Sequence, residues 1–431
     1  MSFALPPQKV AARAGWRQRL LRYLVVAGPG LIVMVADNDA GAVSTYTQAG
    51  AQYGTHLLWV LLLLLPVTYF VQEMVARLGV ATGQGHAAMI YQRFGSWWGR
   101  FSLFDLLLVN FLTLVTEFAA IALAAPRLGL APAIAVPLAA VGLVLLVGTG
   151  SYRRWERMTL GLCGLSFAWF ALAWMVGPQW GAALRDAVAP SLPAGGITGQ
   201  LVFLVIAIVG TTIAPWQLFF QQSCVADKRL RFADLGAARL DTFIGAVAVV
   251  VFAGCMMLVG DALHRTGGAY QDPAQMAVAL KGVIGATGAK LILVLMCNAA
   301  LLGATAISLS SAWAWGEAMG WRVTLQAKIS EAPQFYAAYA LCVAAAAGLV
   351  LIPGAPLQTI IISVQVVAGV MLPSAIIFLQ LLLNDSEMLG ERFVNRPWNN
   401  WVNWTCIGLL FALSLVLAAQ VLLPGLFPAA A

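Results

Sequence analysis

Eleven apolar stretches, each long enough to cross roughly 30 Å of hydrocarbon, recur along this chain of 431 residues. They cover approximately 23–50, 56–80, 101–126, 132–150, 157–177, 199–226, 235–262, 289–318, 333–352, 356–383 and 402–424. No soluble fold buries such a pattern, because single cores stop growing at about 250–300 residues. Only 10% of the residues are charged, where a soluble domain carries about a quarter. The chain therefore reads as an all-α integral membrane protein of eleven transmembrane helices. The longest connections, roughly 263–288 and 384–400, are too short to fold alone.

A net charge of +7 raises the question of nucleic acid, and the placement of the charges answers it. With the N-terminus inside, nineteen of the 24 lysines and arginines fall on inner segments. Only Arg127, Arg185, Arg265, Lys281 and Lys290 fall outside. This is the bias of a multi-pass cell-membrane protein, and an odd number of spans puts the C-terminus outside. Residues 1–22 are polar and basic without a cleavable apolar stretch, so they read as a cytoplasmic tail. The six cysteines stand singly in apolar runs, with no Cys-x-x-Cys pair, and read as inert thiols.

Two spans are interrupted. The first contains Asp37-Asn38-Asp39-Ala40-Gly41, two carboxylates and an amide near mid-membrane. Charges there are costly and mark function. Three consecutive side chains point about 100° apart on a helix, so the helix is broken or lines a wet cavity. The sixth span reads Thr211-Thr212-Ile213-Ala214-Pro215-Trp216-Gln217. Pro215 removes a backbone donor and pushes Ala214 out of helical geometry. Taken alone, it reads equally as a simple proline kink. Spans one and six lie five helices apart, and paired broken spans in inverted halves mark the site of a transporter. Freed carbonyls and carboxylates together make a cation cage. Asp37 and Asp39 also have a structural reading, as carboxylates bonded to neighbouring helix ends.

The chain resembles the Nramp divalent-metal transporters over nearly its whole length. The matching residues include Gly28-Pro29-Gly30, Gly50-Ala51-Gln52-Tyr53-Gly54, Leu57-Leu58-Trp59-Val60, Ala76-Arg77-Leu78-Gly79, Gln365-Val366-Val367 and Leu372-Pro373. The resemblance implies the LeuT-type five-plus-five inverted repeat with discontinuous helices 1 and 6. That divides the chain into the tail 1–22, a first repeat 23–180, a second repeat 199–383, and an inner loop with helix 11 over 384–431. The hallmark motifs depart from the family pattern. Asp-Pro-Gly-Asn of helix 1 reads Asp39-Ala40-Gly41-Ala42, which keeps the aspartate and loses the asparagine. Met-Pro-His of helix 6 reads Ala214-Pro215-Trp216, which loses the thioether. A second family histidine aligns with Gln221, the helix 3 acid pair becomes Glu117 and Ala120, and the helix 10 glutamine before Leu-Pro is Met371.

A thioether favours transition metals, whereas Mg²⁺ prefers oxygen and keeps several waters. The expected metal site is Asp39 with Asp37, Asn38, Ala40, Thr211, Thr212, Ile213, Gln217 and Gln365. The variant resembles the Nramp-related magnesium transporters more than other members. The expected substrate is a largely hydrated Mg²⁺, with Mn²⁺ also accepted. His56, His86 and His264 all fall in expected loops, so no imidazole is left in the membrane to relay protons. Transport is expected without obligatory proton coupling, with no resident cofactor and no enzymatic activity. The expected partners are the divalent ion and the bilayer, with no nucleic acid and a monomeric chain. Glu117 reads as a residual relay or gate, or as a carboxylate paired with helix dipoles. Trp216 reads as a gate plug or a packing residue, and Asp105 and Glu317 as structural charges near inner helix ends. The alternatives are a proton-coupled Mn²⁺/Fe²⁺ symporter and an organic-substrate symporter on the same fold. An intramembrane enzyme lacks every supporting motif, and a channel lacks a continuous polar path.

Overall fold

The computed structural model describes residues 23, 26, 28–193 and 196–422. The expected N-terminal tail lies outside them. The described residues form helices and turns without a strand. In chain order the helices are α1 (Pro29–Ala36), α2 (Ala40–Tyr53), α3 (Leu58–Thr82), α4 (His86–Ala124), α5 (Pro132–Val147), α6 (Tyr152–Ser166) and α7 (Ala168–Met175). They continue with α8 (Trp180–Val188), α9 (Gly199–Thr212), α10 (Pro215–Asp227), α11 (Leu235–Arg265), α12 (Pro273–Ala279) and α13 (Lys281–Met319). The last four are α14 (Pro333–Val350), α15 (Leu357–Leu382), α16 (Ser386–Leu389) and α17 (Pro397–Leu422).

Eight helices among the described residues are long and apolar enough to cross a membrane. The other three expected spans are the interrupted first one, the 16-residue α5 and α17. Large apolar side chains face outward from the bundle, among them Leu63, Leu138, Trp174 and Leu341. Contiguous exposed apolar surface of this kind is a lipid-facing surface.

Several expected boundaries move. Span three starts at His86, not 101, and span eight at Lys281, not 289. The first carries an amphipathic arm over 86–94 that a search for unbroken apolar runs reads as loop, and the second a four-residue arm over 281–284. Each arm joins its span through one glycine in a conformation L-residues avoid: Gly95 at φ 83°, ψ 177°, and Gly285 at φ 73°, ψ 175°. α4 and α13 are both 39 residues long and pack on each other more extensively than any other pair. A kinked third span in one half and a kinked third span in the other accompany the broken first span of each half, as an internal repeat requires. The fifth span also divides at Phe167, between α6 and α7. The loop from 263 to 288 contains α12.

The histidine expectation needs two corrections: His264 lies in the last turn of α11, its Nδ1 3.1 Å from Ala51 O. His86 is not in a loop: it opens α4, is fully buried, and lies 2.6 Å from Gln222 Oε1 through its Nδ1 with Phe219 edge-on to its ring. Gly85, just before it, has no room for a side chain. A Cβ there would meet the Glu317 carboxylate.

Candidate metal site between two broken helices

The first break spans residues 37–39. Asp37 ends α1 in helical geometry, while Asp39 is extended at φ −73°, ψ −170°. The interruption leaves the last carbonyls of α1 and the first amides of α2 without helical partners, the unsatisfied groups of two helix ends. Two carboxylates answer the amides. Asp39 Oδ1 accepts from Ala42 N at 2.9 Å, and Glu117 Oε2, from α4, accepts from Ala40 N at 3.1 Å. The second break is at Ile213 and Ala214, both extended. Pro215 then occupies the first turn of α10, where its missing N–H leaves nothing unpaired.

The breaks face each other inside the bundle. Asp37 and Glu117 are fully buried, and Asp39 and Asn38 are 2% and 3% exposed. Gln217 Nε2 donates to Asp37 Oδ1, and Gln217 Oε1 accepts from Gln72 Nε2 of α3 at 2.8 Å. Gln217 thus bridges three elements. Thr212 Oγ1 donates to Ile208 O at 2.6 Å and therefore accepts from the Tyr46 hydroxyl at 2.7 Å. Asn38 Nδ2 donates to Val249 O at 3.2 Å.

A set of buried polar atoms in this region has no hydrogen-bond partner: Asp37 Oδ2, Asn38 Oδ1, Thr211 Oγ1, Glu117 Oε1 and Gln365 Nε2. Leaving such groups unpaired costs about 1–3 kcal/mol each. Four of the five are oxygens. The pattern fits a cation with its waters. Among the described residues no group of three or more His, Cys, Asp or Glu forms a ready-made cage. The donor set is sparse in charge and rich in neutral oxygen.

Most of the residues expected at the site come together. Asp37, Asn38, Asp39 and Ala40 form the first break, Thr211, Thr212 and Ile213 end α9, and Gln217 reaches across. Gln365 enters from α15 against Gly41, where a Cβ would lie 1.8 Å from its Nε2. The Ala40 amide is taken by Glu117, and Gln217 is engaged at both ends of its amide. Trp216 is fully buried, its ring against Phe220 and its carbonyl bonded to Ser310. Its indole N–H, also buried, has no hydrogen-bond partner. Glu117 accepts from the first amide of α2, and its carboxyl and Asp39 both lie against Gly303. Gln221 bonds Thr242 on α11 at 3.0 Å. Asp105 pairs with Ser374, and Glu317 accepts from Ser223 at 2.7 Å, so both tie helices together.

The sequence reading missed Gly303. A Cβ on it would lie 2.7 Å from Asp39 Cβ and 2.8 Å from the Glu117 carboxyl. This glycine on α13 is what lets the two acids meet. Nothing in Leu302-Gly303-Ala304 distinguishes it from any small residue in a packed helix. The reading also missed Asp241, a carboxylate inside an apolar span. Its oxygens accept from Gly28 N at 3.2 Å and Gly30 N at 2.7 Å, capping α1. Its charge at that depth was the available signal.

The family model described as natural resistance-associated macrophage protein-like matches residues 30–420. The chain belongs to the Nramp family. Among Nramp relatives, the divalent metal cation transporter MntH of Ralstonia nicotianae is 28% identical over 94% of this chain and 92% of its own length. MntH 1 of Pseudomonas aeruginosa is 29% identical over 92% of each. Among solved structures, the Eremococcus coleocola manganese transporter bound to an aromatic bis-isothiourea compound superposes with TM-score 0.77 at 19% identity, covering 96% of this chain and 90% of that one. MhsT in complex with L-phenylalanine gives TM-score 0.56 at 14% identity, over 94% and 100%. These likenesses establish the fold.

Proposed function

We propose that the chain moves divalent metal ions across the cell membrane by alternating access, Mg²⁺ foremost and Mn²⁺ as well, as a largely hydrated ion. The observation that carries this is the pair of facing breaks. They gather Asp37, Asp39, Asn38 and Thr211 oxygens, with Ala214 standing where the family carries a thioether. Hard oxygen donors with few direct charges suit an ion that keeps its waters, and the loss of sulfur removes the preference for transition metals. On this reading the chain is a magnesium-carrying variant of the family, like the Nramp-related magnesium transporters it resembles. Relatives named as divalent metal and manganese transporters agree with the ion class.

The two repeats occupy 23–180 and 199–383, and helix 11 with its inner loop occupies 384–431. The N-terminus is cytoplasmic and the C-terminus outside. Uptake runs down the ion gradient and the membrane potential, without obligatory proton coupling. Moving two charges through 100 mV supplies about 4.6 kcal/mol. One observation favours a second reading, proton-linked Mn²⁺ symport. The Glu117 carboxyl adjoins Asp39, and paired acids are able to share a proton.

Calorimetric titration of Mg²⁺ and Mn²⁺ into the purified protein, beside Asp39→Ala, tests the proposal. Comparable affinities for the two metals, both lost in the variant, are expected. Far tighter Mn²⁺ binding, or metal-driven acidification inside proteoliposomes, sinks the magnesium reading and restores the second.

A further inference from the structure

At the end of the bundle that carries the basic excess, a recess of about 570 Å³ lies between α3, the start of α11 and the segment leading into α17. It takes no part in moving an ion between the broken helices. Four arginines line it, Arg77, Arg239, Arg392 and Arg396, against one carboxylate, Glu73. Glu73 is already committed. Arg239 contacts its Oε1 through Nε and Nη2, both at 2.8 Å, and Arg77 Nε stands 3.4 Å away. Arg77 also donates to Phe393 O at 2.6 Å and Asn395 Oδ1 at 2.7 Å. Arg77 and Arg239 are therefore wall. Arg392 and Arg396 are different. Among the described residues neither has a carboxylate within 4.0 Å. Arg392 stacks on the Phe232 ring at 3.8 Å, which leaves its N–H edge available.

The rim is aromatic and apolar. Trp398 is 47% exposed and packs edge-on to Phe70 at 5.1 Å, the placement of an interfacial anchor. From the mouth, the exposed side chains Leu240, Phe243 and Ile244 run along α11 on the outside of the bundle. A soluble anion has no use for that strip. We propose that the recess binds one anionic phospholipid, with its phosphate held by Arg392 and Arg396 and its acyl chains on the Leu240–Ile244 strip. Basic pockets between spans facing an anionic leaflet recognise lipid headgroups in this way. The inference rests on reading this end of the bundle as cytoplasmic.

Native mass spectrometry of the full chain in detergent tests it, with phosphatidylglycerol and phosphatidylcholine of identical chains as probes. Wild type is expected to retain one phosphatidylglycerol in preference. The double variant Arg392→Gln/Arg396→Gln is expected to lose roughly 30-fold in affinity, about fivefold per arginine. Arg153→Gln/Arg154→Gln, at exposed arginines of the same end, is expected to lose nothing. Equal retention of the two lipids, or an unchanged double variant, overturns the proposal. Displacement by millimolar inorganic phosphate assigns the recess to a soluble anion and also overturns it. A check on the wild-type protein covers misfolding of the arginine variants. Brominated-chain phosphatidylglycerol is expected to quench the protein's fluorescence more than brominated phosphatidylcholine, and Trp398→Phe is expected to remove the difference. Lack of any difference in wild type refutes the site. Neither assay measures transport, so their outcome is separate from the ion selectivity.

Discussion

Consider Gly303→Ala. The added Cβ would sit 2.7 Å from Asp39 Cβ and 2.8 Å from Glu117 Cδ and Oε2, where ordinary contact begins at 3.4 Å. The neighbours must give way by about 0.6–0.7 Å. Neither moves freely. Asp39 is pinned by its bond to Ala42 N, and Glu117 by its bond to Ala40 N, so the strain passes into the first turn of α2. Overpacking of this kind costs about 1–3 kcal/mol. If the cost falls on the arrangement that binds metal, affinity drops by roughly 5- to 150-fold, at about 1.4 kcal/mol per factor of ten. The assay is calorimetric titration of Mg²⁺ and Mn²⁺ into the variant beside Gly282→Ala on the same helix, whose new Cβ meets nothing within 4 Å. The variant is expected to fold and to lose at least about fivefold in affinity for both ions, while the control binds as wild type. A Gly303→Ala protein that binds both ions normally and melts with the control would refute the idea that the two acids are confined against α13.

Two further perturbations address selectivity and closure. Ala214→Met restores a thioether beside the second break, and the ratio of Mn²⁺ to Mg²⁺ affinity is expected to rise severalfold in the same titration. An unchanged ratio would mean that position 214 does not face the ion. Asp241→Asn weakens the charge-assisted caps on Gly28 and Gly30, each worth about 1.5–3 kcal/mol. Amide exchange in residues 28–36 is expected to accelerate by about tenfold or more, with α13 unaffected.

The spans were legible because composition and charge bias act over whole helices. Both breaks were legible because Asp37-Asn38-Asp39 and Ala214-Pro215 violate the apolar pattern locally. What escaped depends on approach in three dimensions. The arm before Gly95 carries enough polar residues to look like loop, the one before Gly285 is only four residues long, and a glycine of positive φ joins each to its span. His86 looked solvated for the same reason. Gly303 and Gly41 matter because of what packs over them, Asp39 with Glu117 in one case and Gln365 in the other. No local pattern records a neighbour dozens or hundreds of residues away. Asp241 was readable, since a carboxylate inside an apolar span calls for a partner, and the partner is a helix end.

The polar ties of the two halves of the first span go to different neighbours. The N-terminal amides of α1 are held by Asp241, and Lys228 joins Val26 O, at 3.1 Å, to Glu156, at 2.6 Å. α2 is held at its start by Glu117 and a turn further on by Tyr270, whose hydroxyl lies 3.0 Å from Thr47 Oγ1 and donates to Ser44 O at 3.1 Å. A continuous helix transmits displacement of one end to the other through its ladder of hydrogen bonds. Here the ladder is interrupted at 37–39, so releasing the Asp241 latch need not disturb the Tyr270 contact. Separable closures are what distinguish a carrier from a channel, because both sides must never open together. On the proposed function the break does two things at once: it bares oxygens for the ion and uncouples the ends. Gln217 links the two roles. Its amide donates to Asp37 Oδ1 and leaves Oδ2 unpaired, so the carboxylate that offers an oxygen to the ion is also tied to α10. On the proposed function, occupancy of the site is felt by both broken helices through this one side chain.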